Sequence, residues 1–235
     1  MLGPGGGRNR VRRAPVVGTV PCMSGEIQRV QAAWARIEQW LAEYAPLSHQ
    51  SLLPPVPEEE IGEADTELRR QLGFGFPLEL TALWRLCGGV EHQVIEEDEQ
   101  GEVGSGAFLP DGIILPPAQA LGLRLPGVGR TDGWGRLAAV PWLTRDEAGP
   151  ESGHWVSDGG MGRWDLSEPP EGPAQFPSMT GYLDDVFHTL TEGPAGRMGS
   201  DVPGLVWGCL IWDDPTREQP YRTLDEASAY WRPVH

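Results

Sequence analysis

Ile27, Val30, Trp34, Ile37, Leu41 and Tyr44 recur at alternating spacings of three and four residues. That rhythm keeps six large apolar side chains on one face of a helix and is incompatible with a strand, where alternate residues face opposite ways. It predicts a helix of about 20 residues. Ser24 is placed to cap its start and Pro46 to bar its continuation. Trp40 lies off the seam and is expected beside a second element.

A connector follows at Leu52-Leu53-Pro54-Pro55-Val56-Pro57, stiffened by its prolines. Glu58, Glu59 and Glu60 then fall where carboxylates favour a helix N-terminus. Ile61, Ala64, Leu68 and Leu72 form the buried face of this second helix, and Gly73 suits a left-handed C-cap. Pro77 opens a third helix with Leu80, Leu83, Trp84 and Cys87 inward, and Gly88-Gly89 stops it.

Beyond residue 90 the texture changes to short apolar runs between turn residues. Val94-Ile95, Ala107–Leu109, Ile113–Leu115, Leu137–Leu143 and His154–Val156 are predicted strands, with Asp111-Gly112 a hairpin turn. Ser178 begins a further helix with Met179, Tyr182, Leu183, Val186, Phe187 and Leu190 on one face, closed by Gly193-Pro194. Leu205–Trp212 reads as one more strand, and Thr223-Leu224-Asp225-Glu226 has the capping-box pattern of a short last helix. Helices first, strands in the middle and a helix behind them give an α+β class rather than alternating βαβ units.

Three segments are expected: residues 1–22, a domain over 23–194, and an extension over 195–235. The first holds four Arg, no acid and no apolar run of signal-peptide type, so it is read as a disordered basic tail or as sequence ahead of a true start at Met23.

The formal net charge is −16, and all 18 basic residues are Arg. Setting aside the four Arg of 1–22, the rest of the chain carries −20. Such a surface repels nucleic acid and anionic membranes, and suits either solubility or a basic protein partner. Three dispersed cysteines and no CxxC exclude a disulfide framework and give no zinc-site spacing. No apolar stretch reaches membrane-span length.

The segment Leu72-Gly73-Phe74-Gly75-Phe76-Pro77-Leu78-Glu79-Leu80, running through Leu83-Trp84 to Gly88-Gly89, resembles the core motif of the SUKH superfamily. Trp34–Leu41, the Pro-rich connector and Glu60-Ile61 are similar to the opening of the same proteins. The resemblance implies N-terminal helices packed on a mixed, largely antiparallel central sheet with a further C-terminal helix. It also implies a cytoplasmic module that binds protein, and the lack of any catalytic constellation in the sequence makes it an expected non-catalytic one. One form would be an immunity protein covering a polymorphic toxin, the other a regulatory adaptor like the Smi/Knr cell-wall regulators. The motif's usual polar residue before the final Gly is replaced by Gly88, and 196–235 has no counterpart.

Candidate contact residues are few. Glu91, Glu96, Glu97, Asp98, Glu99 and Glu102 place six acids in twelve residues, a contact edge for a basic toxin or simply a solvated hairpin loop. Trp134 and Trp142, with Trp155 and Trp164, fall among the strands, where alternation sends some inward and leaves others as interface anchors. His154, Asp158 and Asp165 are the one grouping with acid–base residue types, read mainly as a turn between strands. Gly159-Gly160-Met161-Gly162 lacks the form of a nucleotide-binding loop, so no cofactor, metal or small-molecule substrate is expected.

Overall fold

The computed structural model describes residues 23–98, 101–110, 112–123, 133–145, 150–166, 174–193, 201–213 and 232–234. Four helices come first: α1 Met23–Tyr44, α2 Pro46–Gln50, α3 Glu58–Leu72 and α4 Leu78–Trp84. A two-stranded antiparallel ribbon, β1 Val94–Asp98 and β2 Gly101–Gly104, separates them from the central sheet. After β3 Ile113–Ile114 come α5 Pro117–Gly122 and α6 Gly133–Leu137. The sheet is completed by β4 Val140–Thr144, β5 Ser152–Ser157 and β6 Gly160–Asp165, in antiparallel order β3-β4-β5-β6. Helix α7 Met179–Glu192 covers this sheet, and β7 Val202–Val206, β8 Cys209–Asp213 and β9 Arg232–Pro233 form a small antiparallel sheet in the order β8-β7-β9. The expected α+β class is therefore present, and all strand pairings among the described residues are antiparallel.

Helix α1 is the spine. Val30, Ala33, Trp34, Ile37, Trp40 and Leu41 are all buried, a face wider than the single seam read from the sequence. The reason is that both α4 and α7 pack on α1. Trp40 accordingly lies in the core, while Tyr44 is 49% exposed against its ring. Ser24 sits inside the first turn of α1 rather than ahead of it.

Helices α3 and α4 match their sequence signals. Ile61, Ala64 and Leu68 are buried on α3, which ends at Gly73 with φ +88° and its N–H on the Arg69 carbonyl. Leu80, Leu83, Trp84 and Cys87 are all in the core. The seam between residues 51–56 and 84–91 holds the layers together. Val56 N–H donates to Trp84 O at 2.8 Å, Leu53 N–H to Gly89 O at 3.0 Å, Gly88 N–H to Pro54 O at 3.1 Å, and Glu91 N–H to Ser51 O at 2.8 Å.

Several strand expectations change. Leu137 closes α6, and the chain reaches β4 only after Ala138, which adopts φ +47°. Ala107–Leu109 is not a strand, although Leu109 bridges Gly112 across a tight turn; Asp111 lies outside the described residues. Leu205–Trp212 is a hairpin rather than one strand, folded at Trp207 (φ +47°) and Gly208 (φ +86°). It docks on α2, where Leu47 N–H reaches Gly208 O and Ser48 Oγ accepts from Leu210 N–H, both at 3.0 Å. Leu210 thereby joins the main core. The capping-box segment at 223–226 and residues 1–22 lie outside the described residues.

Gly88 and Gly89 set the tolerance of the seam. A Cβ on Gly88 would lie 2.5 Å from Pro54 O, and Gly89 has φ +132° with Ile114 O 3.2 Å from any added Cβ. Gly88→Ala and Gly89→Ala should each lower unfolding free energy by about 2 kcal/mol or more in urea titrations. Gly62→Ala, on α3 with open space around it, should instead be neutral or stabilising by up to ~1 kcal/mol.

Candidate functional site

A cleft of about 770 Å³ opens where α1, the α3–α4 joint, the β5–β6 turn and the start of α7 converge. Glu26 and Arg29 of α1 line one side together with Arg69 of α3 and the joint residues Phe74 to Glu79. Ala138, Ser157 and Asp158 line another, and Pro177, Ser178, Thr180, Gly181 and Asp184 the third. The most motif-like stretch of the sequence is thus both a structural joint and a wall of the cleft.

Two carboxylates hold these walls in place. Asp65 accepts the Phe76 N–H at 2.7 Å and Arg69 Nε at 2.7 Å. Gly75 lies beneath this pair, and a Cβ there would come within 2.1 Å of the Arg69 guanidinium and displace the tips of these side chains. Glu79 crosses to α7, accepting from Met179 N–H at 2.8 Å, Thr180 N–H at 3.2 Å and Thr180 Oγ1 at 2.6 Å. Ser178 Oγ takes the Gly181 N–H at 2.9 Å. A side chain from α4 and a local cap together satisfy the first turn of α7. An ion pair between Arg36 and Asp184 ties α1 to α7, with the guanidinium 4.9 Å from the Phe187 ring centre.

Glu26, Arg29 and Asp158 make no ion pair or side-chain hydrogen bond with any described residue. The cleft therefore offers two unengaged carboxylates and one unengaged guanidinium, above a partly exposed apolar surface of Phe74 and Leu78.

The acid–base grouping does not assemble. Asp158 sits in the β5–β6 turn, beside the Ser157–Gly160 pair, whereas Asp165 pairs with Ser152 at the other end of the hairpin. Five residues of strand separate these ends by roughly 17 Å. His154 is buried mid-strand, its ring 5.7 Å from that of Tyr182, whose hydroxyl donates to Pro110 O. Sequence proximity had grouped three residues that the hairpin disperses.

The tryptophan expectations also need correction. Trp142 is fully buried, edge-on to Tyr182, and is core rather than an interface anchor. Trp155 and Trp164 are buried on the other face of the sheet with Ala139, where Trp155 lies across Gly162. Trp134 belongs to α6, but its side chain lies outside the described residues. Among the described residues the exposed indole is Trp207, at the β7–β8 turn; its place was concealed because 205–212 reads as one uninterrupted apolar run.

The acidic run folds as the β1–β2 ribbon. Glu91 is exposed at its root, Glu96 stands opposite Val103, Glu97 opposite Glu102 and Asp98 opposite Gly101; Glu99 lies outside the described residues. Val94 and Ile95 are exposed at 50% and 39%. Ser51 Oγ donates to Ser105 O, and Ser105 N–H to Gln93 O, so the ribbon is rooted beside α2. His92 packs under it, its Nδ1 accepting the Gly106 N–H at 3.2 Å. Ribbon and cleft lie towards opposite ends of α1, a helix of about 33 Å.

No helix among the described residues is long and apolar enough to cross a membrane. Among known proteins, no family model and no curated sequence matches the chain.

Glu79→Gln keeps the shape of the α4–α7 tie but removes its charge, and should cost about 1–2 kcal/mol in urea titration. Burial pushes the thiols of Cys87 and Cys209 up to about 11. Both should therefore resist iodoacetamide at pH 8 in the folded protein and react only after denaturation, read by mass spectrometry.

Proposed function

We propose that this chain is a non-catalytic protein-binding module of the SUKH type that works in the cytoplasm, neutralising a cognate toxin by covering its active surface. The observation that carries this reading is the acidic ribbon β1–β2. It stands apart from the central sheet, with exposed Val94 and Ile95 beside Glu96, Glu97 and Asp98. The register opposes Glu97 to Glu102, so the backbone brings acidic positions of both strands to one ribbon. Six acids within residues 91–102 attract a cationic partner surface, and a toxin that acts on nucleic acid presents such a surface. The excess of negative charge over the whole chain favours the same partner at longer range.

The motif resemblance over residues 60–89 supplies the family context, and the dispersal of His154, Asp158 and Asp165 removes the one acid–base grouping the sequence offered. Steric cover requires no chemistry from the module itself. It requires a stable platform and a contact edge that a basic domain seeks out.

Co-expression with the toxin encoded beside its gene should restore growth, and the purified pair should associate more slowly as salt rises. The triple substitution Glu96→Gln, Glu97→Gln and Asp98→Asn should slow association by about tenfold at low salt while leaving the urea midpoint unchanged. Failure of the wild-type chain to restore growth, with capture of a housekeeping complex in its place, would overturn the toxin reading in favour of an adaptor.

A further inference from the structure

We propose that the cleft between α1, the α3–α4 joint and α7 is a second docking site, one that takes an extended cationic segment of a partner protein. The proposal goes beyond the ribbon and shares with the reading above only that the occupant is a protein.

The cleft is preorganised. Asp65 fixes the joint and Glu79 fixes the start of α7 through hydrogen bonds of 2.6–3.2 Å, so little ordering is needed on binding. Its volume of about 770 Å³ falls within the range of established ligand sites. Phe74 and Leu78 remain partly exposed and Pro177 exposed, giving an apolar surface that no described residue covers. On the wall next to the β5–β6 turn, Ala138 holds φ +47°, a conformation that costs a non-glycine residue energy and concentrates at functional surfaces.

Charge selects the occupant. Asp65 and Glu79 are committed to backbone N–H groups, Arg69 to Asp65, and Asp184 to Arg36. Among the described residues Glu26, Asp158 and Arg29 remain unengaged. Two free carboxylates against one guanidinium favour a segment carrying positive charge and disfavour phosphorylated or carboxylate-rich ligands. The guanidinium supplies N–H donors that suit the carbonyls of an extended peptide backbone. Apolar side chains of that segment would rest on Phe74, Leu78 and Pro177, with an arginine or lysine reaching Asp158.

The test is an NMR titration of the isotope-labelled full chain with a short capped peptide alternating leucine and arginine, and with its leucine–glutamate counterpart. The cationic peptide should give saturable shifts at Gly75, Ser157, Asp158 and Gly181, and the anionic one none. Asp158→Lys, in an exposed turn, should weaken binding about tenfold. Glu26→Arg, on the opposite wall, should act in the same direction, which guards against a purely local defect in the turn. Glu96→Gln with Glu97→Gln should leave binding unchanged. Absence of saturable shifts, equal binding of the two peptides, or shifts confined to residues 94–104 would overturn the proposal. Its failure is separable from that of the toxin reading. Growth restored equally by the wild type and Asp158→Lys, with a silent titration, removes the cleft alone; no growth restored by the wild type removes the toxin alone.

Discussion

The backbone seam between residues 51–56 and 84–91 is the constraint on which the other layers depend. The connector is rich in proline, which stiffens it while Pro54 and Pro55 stay exposed. Pro54 offers its carbonyl to Gly88. From this seam the structure spreads in two directions. Trp84 donates its indole N–H to Leu115 O at 2.9 Å, tying α4 to the edge of the central sheet. Ser51 Oγ reaches Ser105 O, setting the root of the acidic ribbon. Gly88 belongs here for space and Gly89 for its backbone angle. A larger residue at Gly88 would push away the connector that orients α1 against α3.

The carboxylates divide by what surrounds them. Asp65 and Glu79 accept backbone N–H groups and act as tie-rods between elements that are distant in sequence. Glu58 faces Arg85, which holds its carboxyl below the usual range, but at an exposed site such pairs contribute little. Glu26 and Asp158 have no such employment. In a chain with 34 acids, charge alone could not single out these two. Their distinction is that they border a cleft whose walls are fixed by other acids.

Periodicity made the helices legible. Gly73, Pro77, Ser178 and Gly193 stand where their backbone preferences predict, because helix ends are local events. The wider burial of α1 was not legible, since it follows from two helices distant in sequence, α4 and α7, both packing on it. The sheet was read less well. Ala138 and Trp207 take positive φ without being glycine, so the break before β4 carried no turn residue, and the turn between β7 and β8 showed only Gly208 inside an apolar run. Strand β6 was hidden in a glycine-rich stretch, where Gly162 makes room for Trp155 in the neighbouring strand. The cleft could not be read at all. Its walls come from residues 26–29, 69–79, 138, 157–158 and 177–184, and no linear window contains more than one side of it.

The placement of ribbon and cleft constrains how a partner can engage. A standard interface covers about 800 Å² on each partner, a patch of roughly 30 Å across, close to the length of α1. A compact toxin seated on the ribbon would therefore reach the cleft only at its margin. An extended segment attached to that toxin can reach it through a linker, and the second contact then becomes intramolecular, adding affinity according to the linker's span. Two modest contacts joined in this way discriminate better than one large acidic face. Any basic protein can approach the ribbon, but only one carrying an apolar–cationic segment at the right distance also fills the cleft. On the two proposals above, steering and selection would fall to different ends of one helix, and substitutions at either end should change one property while sparing the other.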